Sequence, residues 1–203
     1  MFRRILRVFI LDADVFEEVG RDESATLQAF IIVTVIAFLV AVSSAIRALL
    51  LTVGFGAANT AISVTEGLVG DIVPFDLPLF NPVSAFFSNF AGVYVAWLLW
   101  ALVTWLIGEY VFKGDAGFGE MARIIGFSMS PRVISVFGFL PIPGIGLLAG
   151  LIGWGWAIIA GFIGIRQGLE LSTGKTIFTI VLSMITISVV NQFVVGPLFA
   201  QIF

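Results

Sequence analysis

The residues of this sequence that could do chemistry are the few ionisable ones within its long apolar runs. Hydrophobic residues make up 60% of the 203-residue chain and charged residues only 11%. An ionisable side chain near the centre of a helix in a bilayer costs about 2.5 to 3.5 kcal/mol, so each one needs a structural or functional use. Four residues fall in such runs: Arg47, Glu109, Arg123 and Arg132. Arg47 and Arg123 lie near the ends of their runs, where long stems let a guanidinium reach the interface, and we expect structural roles for both.

Arg132 is harder to explain in this way, because it follows Pro131 well inside the stretch GFSMSPRVI. Proline removes a backbone donor and frees a carbonyl, so a kinked or broken helix is predicted here. We expect Arg132 to face the interior of a helix bundle and to meet either Glu109 or backbone carbonyls. Two interpretations stay open: a structural kink with a buried ion pair, or a site for a ligand or partner. The candidate intramembrane polar site consists of Glu109, Arg123, Ser128, Ser130, Pro131 and Arg132.

Composition removes whole classes of function. The chain has no Cys and no His, which excludes thiol and imidazole catalysis and the usual ligands of zinc and haem. Asp71, Asp76 and Asp115 are expected in loops, so no pair of intramembrane carboxylates exists for proton transfer. We therefore expect no enzyme activity, no cofactor and no metal. The sequence also lacks the basic patch that nucleic acid binding requires.

The stretch GLELSTGKT, from Gly168 to Thr176, resembles a phosphate-binding P-loop but departs from it in two ways. Five residues separate Gly168 from the Gly174-Lys175-Thr176 ending, where the P-loop pattern has four. A P-loop also connects a strand to a helix, whereas apolar runs flank this stretch on both sides. We predict no nucleotide site. Gly174 is expected to end a turn, and Lys175 to place a positive charge at the cytoplasmic surface.

The elements that carry these residues are membrane-spanning helices. A mean hydropathy of +1.13 indicates an integral membrane protein, and a crossing needs about 20 apolar residues. The predicted fold is all-α, a polytopic bundle of five transmembrane helices with an N-terminal amphipathic interfacial helix. Residues 1–26 form the cytoplasmic N-terminal segment and 27–203 the transmembrane domain. The predicted spans are 27–53, 84–112, 122–140, 144–165 and 176–202.

Lys and Arg alternate between the connecting segments. They occur before span one, between spans two and three, and between spans four and five, and they are missing from the other connections. Since basic residues favour the cytoplasmic side, the N-terminus is expected inside and the C-terminus outside, the parity that five crossings require. The outer segment 54–83 has no basic residue, and 57–69 is predicted to form a short surface helix.

Residues 1–19 have apolar side chains at helical spacing, namely Phe2, Ile5, Leu6, Phe9, Ala13 and Phe16. Acidic residues interrupt the segment, so it is neither a signal peptide nor a span. An amphipathic helix is predicted. It could lie in the cytoplasmic interface with its arginines near lipid phosphates, or pack under the bundle.

Span four has small residues at intervals of four, which let helix backbones approach closely. We expect this pattern to serve packing within the chain, with a dimer face as the alternative. The five Trp are interpreted as packing and interface anchors, and Asn191 and Gln192 as hydrogen-bonding across helices. The candidate packing residues are Gly146, Gly150, Gly153, Ala157 and Gly161.

Three stretches give the sequence a family resemblance over nearly its whole length. They are DADVFEEVGRDESATLQA before span one, FKGDAGFGEMARIIGFSMSPRVI into a Pro-broken third span, and WAIIAGFIGIRQGLELSTGKTIFTIVL through a short basic turn. In their order and spacing they resemble the Yip1 domain family of five-span membrane proteins. The eukaryotic relatives in that family act in vesicle traffic and bind Rab GTPases.

The chain departs from the eukaryotic members of that family. Only about 26 residues precede span one, they contain no DLYGP-type motif, and a GYGxP-type hallmark is matched only loosely by Gly126 to Pro131. Rab binding is therefore not carried over. The compact form is similar to bacterial or archaeal members, and a prokaryotic cell membrane is the expected location.

The favoured function is a non-enzymatic membrane scaffold or adaptor that organises other membrane proteins or membrane traffic. Its expected partners are the lipid bilayer and other membrane proteins. One alternative is an accessory subunit of a larger membrane complex. Another is a small-solute transporter or channel that uses the Pro131 and Arg132 region, although no second Pro-broken span occurs at a corresponding position.

Overall fold

The computed structural model describes residues 1–69, 81–114, 116–140, 142, 144–190 and 192–193; the side chains of residue 55 and of 58–69 are not described. The described residues are helical and contain no strand. The helices are α1 (Phe2–Phe9), α2 (Asp14–Arg21), α3 (Ala25–Val69), α4 (Pro82–Leu106), α5 (Phe118–Ser128), α6 (Ile145–Gly168) and α7 (Thr173–Val190). A π-helical turn (Ile107–Val111) extends α4, and a 3-10 segment (Ser130–Phe139) follows α5.

Four helices of the described chain have the length and apolarity to cross a membrane. They are the Ala25–Gly54 part of α3, α4 with its π-helical turn, α6 and α7. They correspond to predicted spans one, two, four and five, with starts that differ from the prediction by one to three residues. The end of the fifth span, over 194–202, and Asn191 lie outside the described residues, as do Asp71, Asp76 and Asp115.

The third predicted span, 122–140, is not a single α-helix. α5 ends at Ser128, and in the following 3-10 segment the Arg132 N–H donates to the Met129 carbonyl at 2.9 Å. Pro131 explains the change, because a proline ring inside an α-helix clashes with the carbonyl four residues earlier and supplies no N–H. Among the described residues, four α-helices therefore have the length and apolarity to cross a membrane, and the segment over 122–140 is not one of them.

α5 and the 3-10 segment together run antiparallel to α6 over almost its whole length. A Cβ added at Gly168 would lie 2.5 Å from Ile124 Cδ1, and one at Gly146 would lie 3.6 Å from Gly138 Cα. The α6 stretch between these contacts is about 33 Å long. The facing stretch from Met121 to Gly138 reaches about 31 Å, because a 3-10 turn rises about 2.0 Å per residue.

The N-terminal segment forms two helices rather than the predicted one. Leu11 has a φ of 60°, and the chain reverses between α1 and α2. Asp12 stabilises this turn in two ways: its carboxylate accepts the Asp14 N–H at 3.1 Å and pairs with Arg7 Nε at 2.7 Å. Asp12, one of the acidic residues that interrupt the apolar stripe, therefore stabilises the turn that separates α1 from α2.

α2 packs under one end of the bundle, called the α2 end, where α5 begins and the α6–α7 turn lies. Val15, Phe16 and Val19 are completely buried there, and Trp100 and Phe127 are buried deeper in the bundle. Large apolar side chains on the outer faces of the helices are exposed, as lipid contact requires. The opposite end is the turn that precedes α6, where Gly144 has a φ of 84°.

The short surface helix predicted over 57–69 is wrong, because α3 continues without a break to Val69. A helix of 45 residues is about 68 Å long. The hydrocarbon core of a bilayer is only about 30 Å thick, so α3 extends well beyond it.

Candidate functional site

Arg132 faces the interior of the bundle, as the sequence predicts. Its side chain is buried, with 8% exposure. The guanidinium carbon lies 4.7 Å from the centre of the Trp154 ring on α6. Nε and Nη1 have no hydrogen-bond partner among the described residues. The cation–π contact, worth about 2 kcal/mol in a desolvated site, therefore replaces the ion pair or the carbonyl bonds that were expected.

Glu109 does not meet Arg132. α4 and α5 run antiparallel, since Trp97 Nε1 donates to the Ala122 carbonyl at 2.8 Å and the rings of Trp105 and Phe118 are 6.0 Å apart. Glu109 follows Trp105 in the π-helical turn that extends α4, so it lies toward the α2 end. Arg132 follows α5 and lies farther from the α2 end than Trp105 does. The proposed Glu109–Arg132 pair is therefore not formed.

The serines near Pro131 contribute unequally. Ser128 Oγ donates to the Ile124 carbonyl at 2.8 Å within α5. Ser130 and Ser135 each have a buried hydroxyl without a hydrogen-bond partner in the described chain. Together with Arg132 they make the 3-10 segment rich in unsatisfied polar groups, which are costly at membrane depth.

Arg123 holds α2 against α5. Its guanidinium donates to the carbonyls of Gly20 and of Val19, the latter at 3.3 Å, and to Thr26 Oγ1 at 3.4 Å. Gly20 lies in the last turn of α2, where the free carbonyls carry partial negative charge and attract a cation. Arg123 thus joins three elements at the α2 end rather than only reaching for the interface.

The small residues of α6 face two ways. A Cβ at Gly153 would lie 2.6 Å from Ser135 Oγ, and one at Gly161 would lie 2.8 Å from the Trp100 ring. Ala157 is fully buried. Gly146 lies against Gly138, but a Cβ at Gly150 would meet no described atom within 4 Å. All candidates except Gly150 therefore make close contacts within the chain.

Ion pairs join α1 to α2. Arg4 pairs with Glu18 at 2.8 Å and with Asp22 at 2.7 Å, and Arg7 pairs with Glu18 at 2.6 Å. The hydrogen bond from Arg4 lowers the pKa of Glu18, and the bond from Arg7 lowers the pKa of Asp12. The pKa of Asp22 is lowered by its hydrogen bonds, first from Ser24 and then from Arg4. These arginines therefore neutralise carboxylates of their own segment.

A polar cleft of about 640 Å³ opens at the α2 end between α2, the start of α5 and the α6–α7 turn. It is called the α2-end cleft. Arg21 and Glu17 on one wall pair at 2.8 Å. On the other wall Arg166 and Glu170 are exposed, and they make no ion pair within the described chain. The residues that line the cleft are Glu17, Arg21, Glu120, Arg166, Gln167, Gly168, Glu170 and Leu171.

The P-loop-like stretch lies between two helices. α6 ends at Gly168 and α7 begins at Thr173, so no strand precedes the sequence Gly174-Lys175-Thr176. Lys175 lies 5.6 Å above the Phe112 ring. Gly174 belongs to the first turn of α7, and it is Glu170, with a φ of 50°, that turns the chain. The expectation that Gly174 ends the turn is therefore wrong.

Three glycines that pack closely at the α2 end, Gly20, Gly164 and Gly168, are not among the predicted packing residues. A Cβ at Gly164 would lie 2.5 Å from Ile124 Cγ2 and 2.9 Å from Phe16 Cδ1, and one at Gly20 would lie 2.8 Å from Glu120 Oε1. Gly164, just inside the predicted end of span four, and Gly168, beyond it, continue the small-residue pattern of that span. That continuation is the signal from which a second helix packed at this end could have been predicted.

The composition, the four long apolar helices and their outward apolar faces define a polytopic α-helical membrane protein. Among the described residues, no group of three or more Asp or Glu side chains could hold a metal ion. A family model for the Yip1 domain matches residues 6–195, and the chain belongs to that family. This match confirms the family that the three quoted stretches indicate. No protein of curated function and no solved structure matches the chain significantly.

Proposed function

We propose that this protein is a non-enzymatic scaffold or adaptor in a prokaryotic cell membrane, which receives other proteins at the α2-end cleft. The cleft is the observation that carries the proposal. Its walls come from three separate elements, and its exposed charges have both signs. Such a surface suits a polar peptide segment of a partner, whose own charges can pair with Arg166 and Glu170.

The topology behind this proposal has five crossings, with the cleft in the cytoplasm. The stretch from Met121 to Gly138, about 31 Å long, supports a fifth crossing because its length matches the hydrocarbon thickness. Arg21, Arg166 and Lys175 all lie at the α2 end, which supports a cytoplasmic location for that end. The N-terminus is then inside and the C-terminus outside.

An interfacial position of α1 fits the same topology. Phe2, Leu6 and Ile10 follow one another at helical spacing and are 72%, 51% and 76% exposed. Ile5 and Phe9 lie instead against α3 and the 3-10 segment. Trp156 Nε1, near the middle of α6, donates to the Phe9 carbonyl at 3.0 Å, so the outward stripe would enter the membrane beside the bundle, while the exposed Arg3 would lie near lipid phosphates.

Transport through the Pro131 and Arg132 region is less well supported. The contact of Gly153 with Ser135 brings the α6 backbone directly against the 3-10 segment. Arg132 is enclosed there under Trp154. A solute path between these two elements would need them to separate by several ångströms, about the diameter of a water molecule or more.

Crosslinking in native membranes tests the adaptor proposal. A photoreactive amino acid at Glu170 should yield a discrete adduct with a partner protein. Arg166→Glu should weaken that adduct several-fold, because it reverses an unpaired charge in the cleft. Lys175→Glu, with the same charge change on the first turn of α7 outside the cleft, should leave it unchanged.

The same preparation separates the alternatives. A partner retained at fixed stoichiometry through mild-detergent purification would indicate an accessory subunit of a stable complex. A monodisperse solitary protein, with no adduct at Glu170 in native membranes, would refute both the adaptor and the subunit roles.

A further inference from the structure

Arg47, at the end of the bundle opposite α2, is a cation without a partner among the described residues. Its side chain is exposed, and no hydrogen bond, ion pair or ring contact involves it within the described chain. The neighbouring Ser43 donates to the Val136 carbonyl at 2.8 Å, so Arg47 lies about one turn farther along, level with the end of the 3-10 segment. This is the depth at which a guanidinium can reach the membrane interface.

Two cavities of about 400 Å³ each meet at Arg47. The first lies beside the turn that connects the 3-10 segment to α6 and includes Leu50 and Gly138. The second descends along α6 past Leu147 and Leu151 to Trp154. Both contain Gly146 and Leu147, so together they form one continuous groove, called the Arg47 groove.

The walls of the Arg47 groove are apolar, and Arg47 is its only charged residue among those described. Leu147 and Leu151 are 68% and 60% exposed. Gly150 leaves the middle of the groove open, because a Cβ there would meet no described atom within 4 Å. Among the described residues, no carboxylate lines the groove to neutralise the guanidinium.

Trp154 closes the deep end of the groove in a fixed orientation. Arg132 lies against its ring at 4.7 Å, and Arg132 is itself enclosed in the bundle. Trp154 is ten residues from Gly144, a depth of about 15 Å along the helix. The groove therefore runs from the interface to near the middle of the membrane.

We propose that the Arg47 groove binds a phospholipid, with the phosphodiester at Arg47 and one acyl chain along Leu147, Gly150 and Leu151 as far as Trp154. An anionic headgroup supplies the charge that the groove lacks, and an acyl chain matches its apolar walls. A diester phosphate attached to a hydrocarbon chain fits both ends of the groove at once. The site lies at the other end of the bundle from the α2-end cleft and does not depend on the adaptor role.

Native mass spectrometry of the purified full chain, titrated with phosphatidylglycerol, tests this site. Arg47→Gln should lower the affinity for the first bound lipid about fivefold to tenfold, the range for one charge-assisted contact near an interface. Arg47→Lys should keep part of the affinity. Gly150→Leu should block the acyl chain, while Gly92→Leu on α4, whose Cβ also meets no described atom within 4 Å, should bind as wild type.

Three results would overturn the proposal. One is lipid binding by Arg47→Gln at the wild-type affinity. Another is equal loss in Gly150→Leu and Gly92→Leu, which would indicate a general effect of added bulk. The third is a shift of the tightly bound species to inorganic phosphate or to a second copy of the chain, which would assign the groove to a free anion or to a dimer. None of these results bears on the crosslink at Glu170.

Discussion

Arg123 and Arg132 lie on the same membrane segment and are stabilised in opposite ways. Arg123 donates to carbonyls of α2, so its charge is compensated by several acceptors. Within the described part of the chain, Arg132 has only the face of Trp154 as a partner, and two of its nitrogen donors are unsatisfied. A buried charge without a partner costs several kcal/mol, more than the roughly 2 kcal/mol that a cation–π contact returns. The two arginines should therefore respond differently to the same substitution.

Replacing each arginine by methionine measures that difference. Arg132→Met should leave the thermal unfolding midpoint unchanged or raise it, because an apolar side chain of similar length removes the unsatisfied donors. Arg123→Met should lower the midpoint, at a cost of about 2 to 4 kcal/mol, because carbonyls of α2 lose their donor. Unfolding in detergent, followed by tryptophan fluorescence, gives both values. A large destabilisation by Arg132→Met would show that its guanidinium has a partner which the described residues do not supply.

The small residues of α6 allow close packing against two neighbouring elements. Gly153 faces the 3-10 segment and Gly161 faces Trp100 on α4. Gly150, between two packed faces, is open. On α6, Gly153 and Gly161 therefore allow close packing, whereas Gly150 leaves the space that forms the groove.

A matched pair of alanine substitutions on α6 tests this assignment. Gly153→Ala should destabilise the protein by about 1 to 3 kcal/mol, because the new methyl group overpacks against Ser135. Gly150→Ala should stabilise it by up to about 1 kcal/mol, since alanine favours helix and has room there. Thermal unfolding midpoints give the comparison. Equal effects of the two substitutions would contradict the packing described.

The α1–α2 pair should depend on pH. The pKa values of Asp12, Glu18 and Asp22 are lowered in the folded protein. Their ion pairs therefore contribute stability that is fully present above the unfolded pKa values of about 4 and is lost as pH falls through the lower folded values. We expect α1 to remain docked from pH 7 down to about 4 and to detach at lower pH.

A polarity-sensitive fluorophore on Leu6→Cys, in reconstituted vesicles, would follow this detachment. The chain has no Cys of its own, so the label is unique. Adding Arg4→Gln removes the pairs with Glu18 and Asp22 and should shift the transition to higher pH. A signal that does not change between pH 7 and pH 3 would show that the ion pairs do not hold α1.

At the scale of the whole molecule, the number of crossings depends on the segment that changes helix type at Pro131. If α5 and the 3-10 segment cross together, the residues that precede α5 and the turn before α6 lie on opposite sides of the membrane. If they do not cross, four crossings remain and these two connections lie on the same side. The topology is therefore a property that can be measured directly.

Labelling of single cysteines with a membrane-impermeant maleimide in intact cells decides it. Ile142→Cys should be labelled from outside, whereas Gly117→Cys, just before α5, should be labelled only after the cells are opened. Both positions lie outside the packed core: Ile142 is 52% exposed, and a Cβ at Gly117 meets no described atom within 4 Å. Labelling of Gly117→Cys in intact cells would reverse the orientation, and equal labelling of both would refute the fifth crossing.

The class of protein, the family and the positions of four spans were predicted correctly from the amino-acid sequence. Apolar runs of membrane length admit no other stable structure, because every backbone polar group in lipid must be bonded within a helix. The sequence also located the break at Pro131 and the inward direction of Arg132. These features depend on the residue types within one segment, such as a proline in a helix or a charge in an apolar run, and they can be predicted without knowing the fold.

The contacts between polar side chains of distant segments could be identified only in the folded structure. Glu109 lies at the α2 end and Arg132 lies farther from that end, because α4 and α5 run antiparallel. The residues of either segment alone do not show this arrangement. The partner of Arg132 is Trp154, and the acceptors of Arg123 are carbonyls of α2. The Arg47 groove likewise exists because no described atom packs against Gly150 in the bundle. Contacts between distant segments depend on how helix faces pack together, and helical periodicity alone leaves the rotation and depth of each helix open.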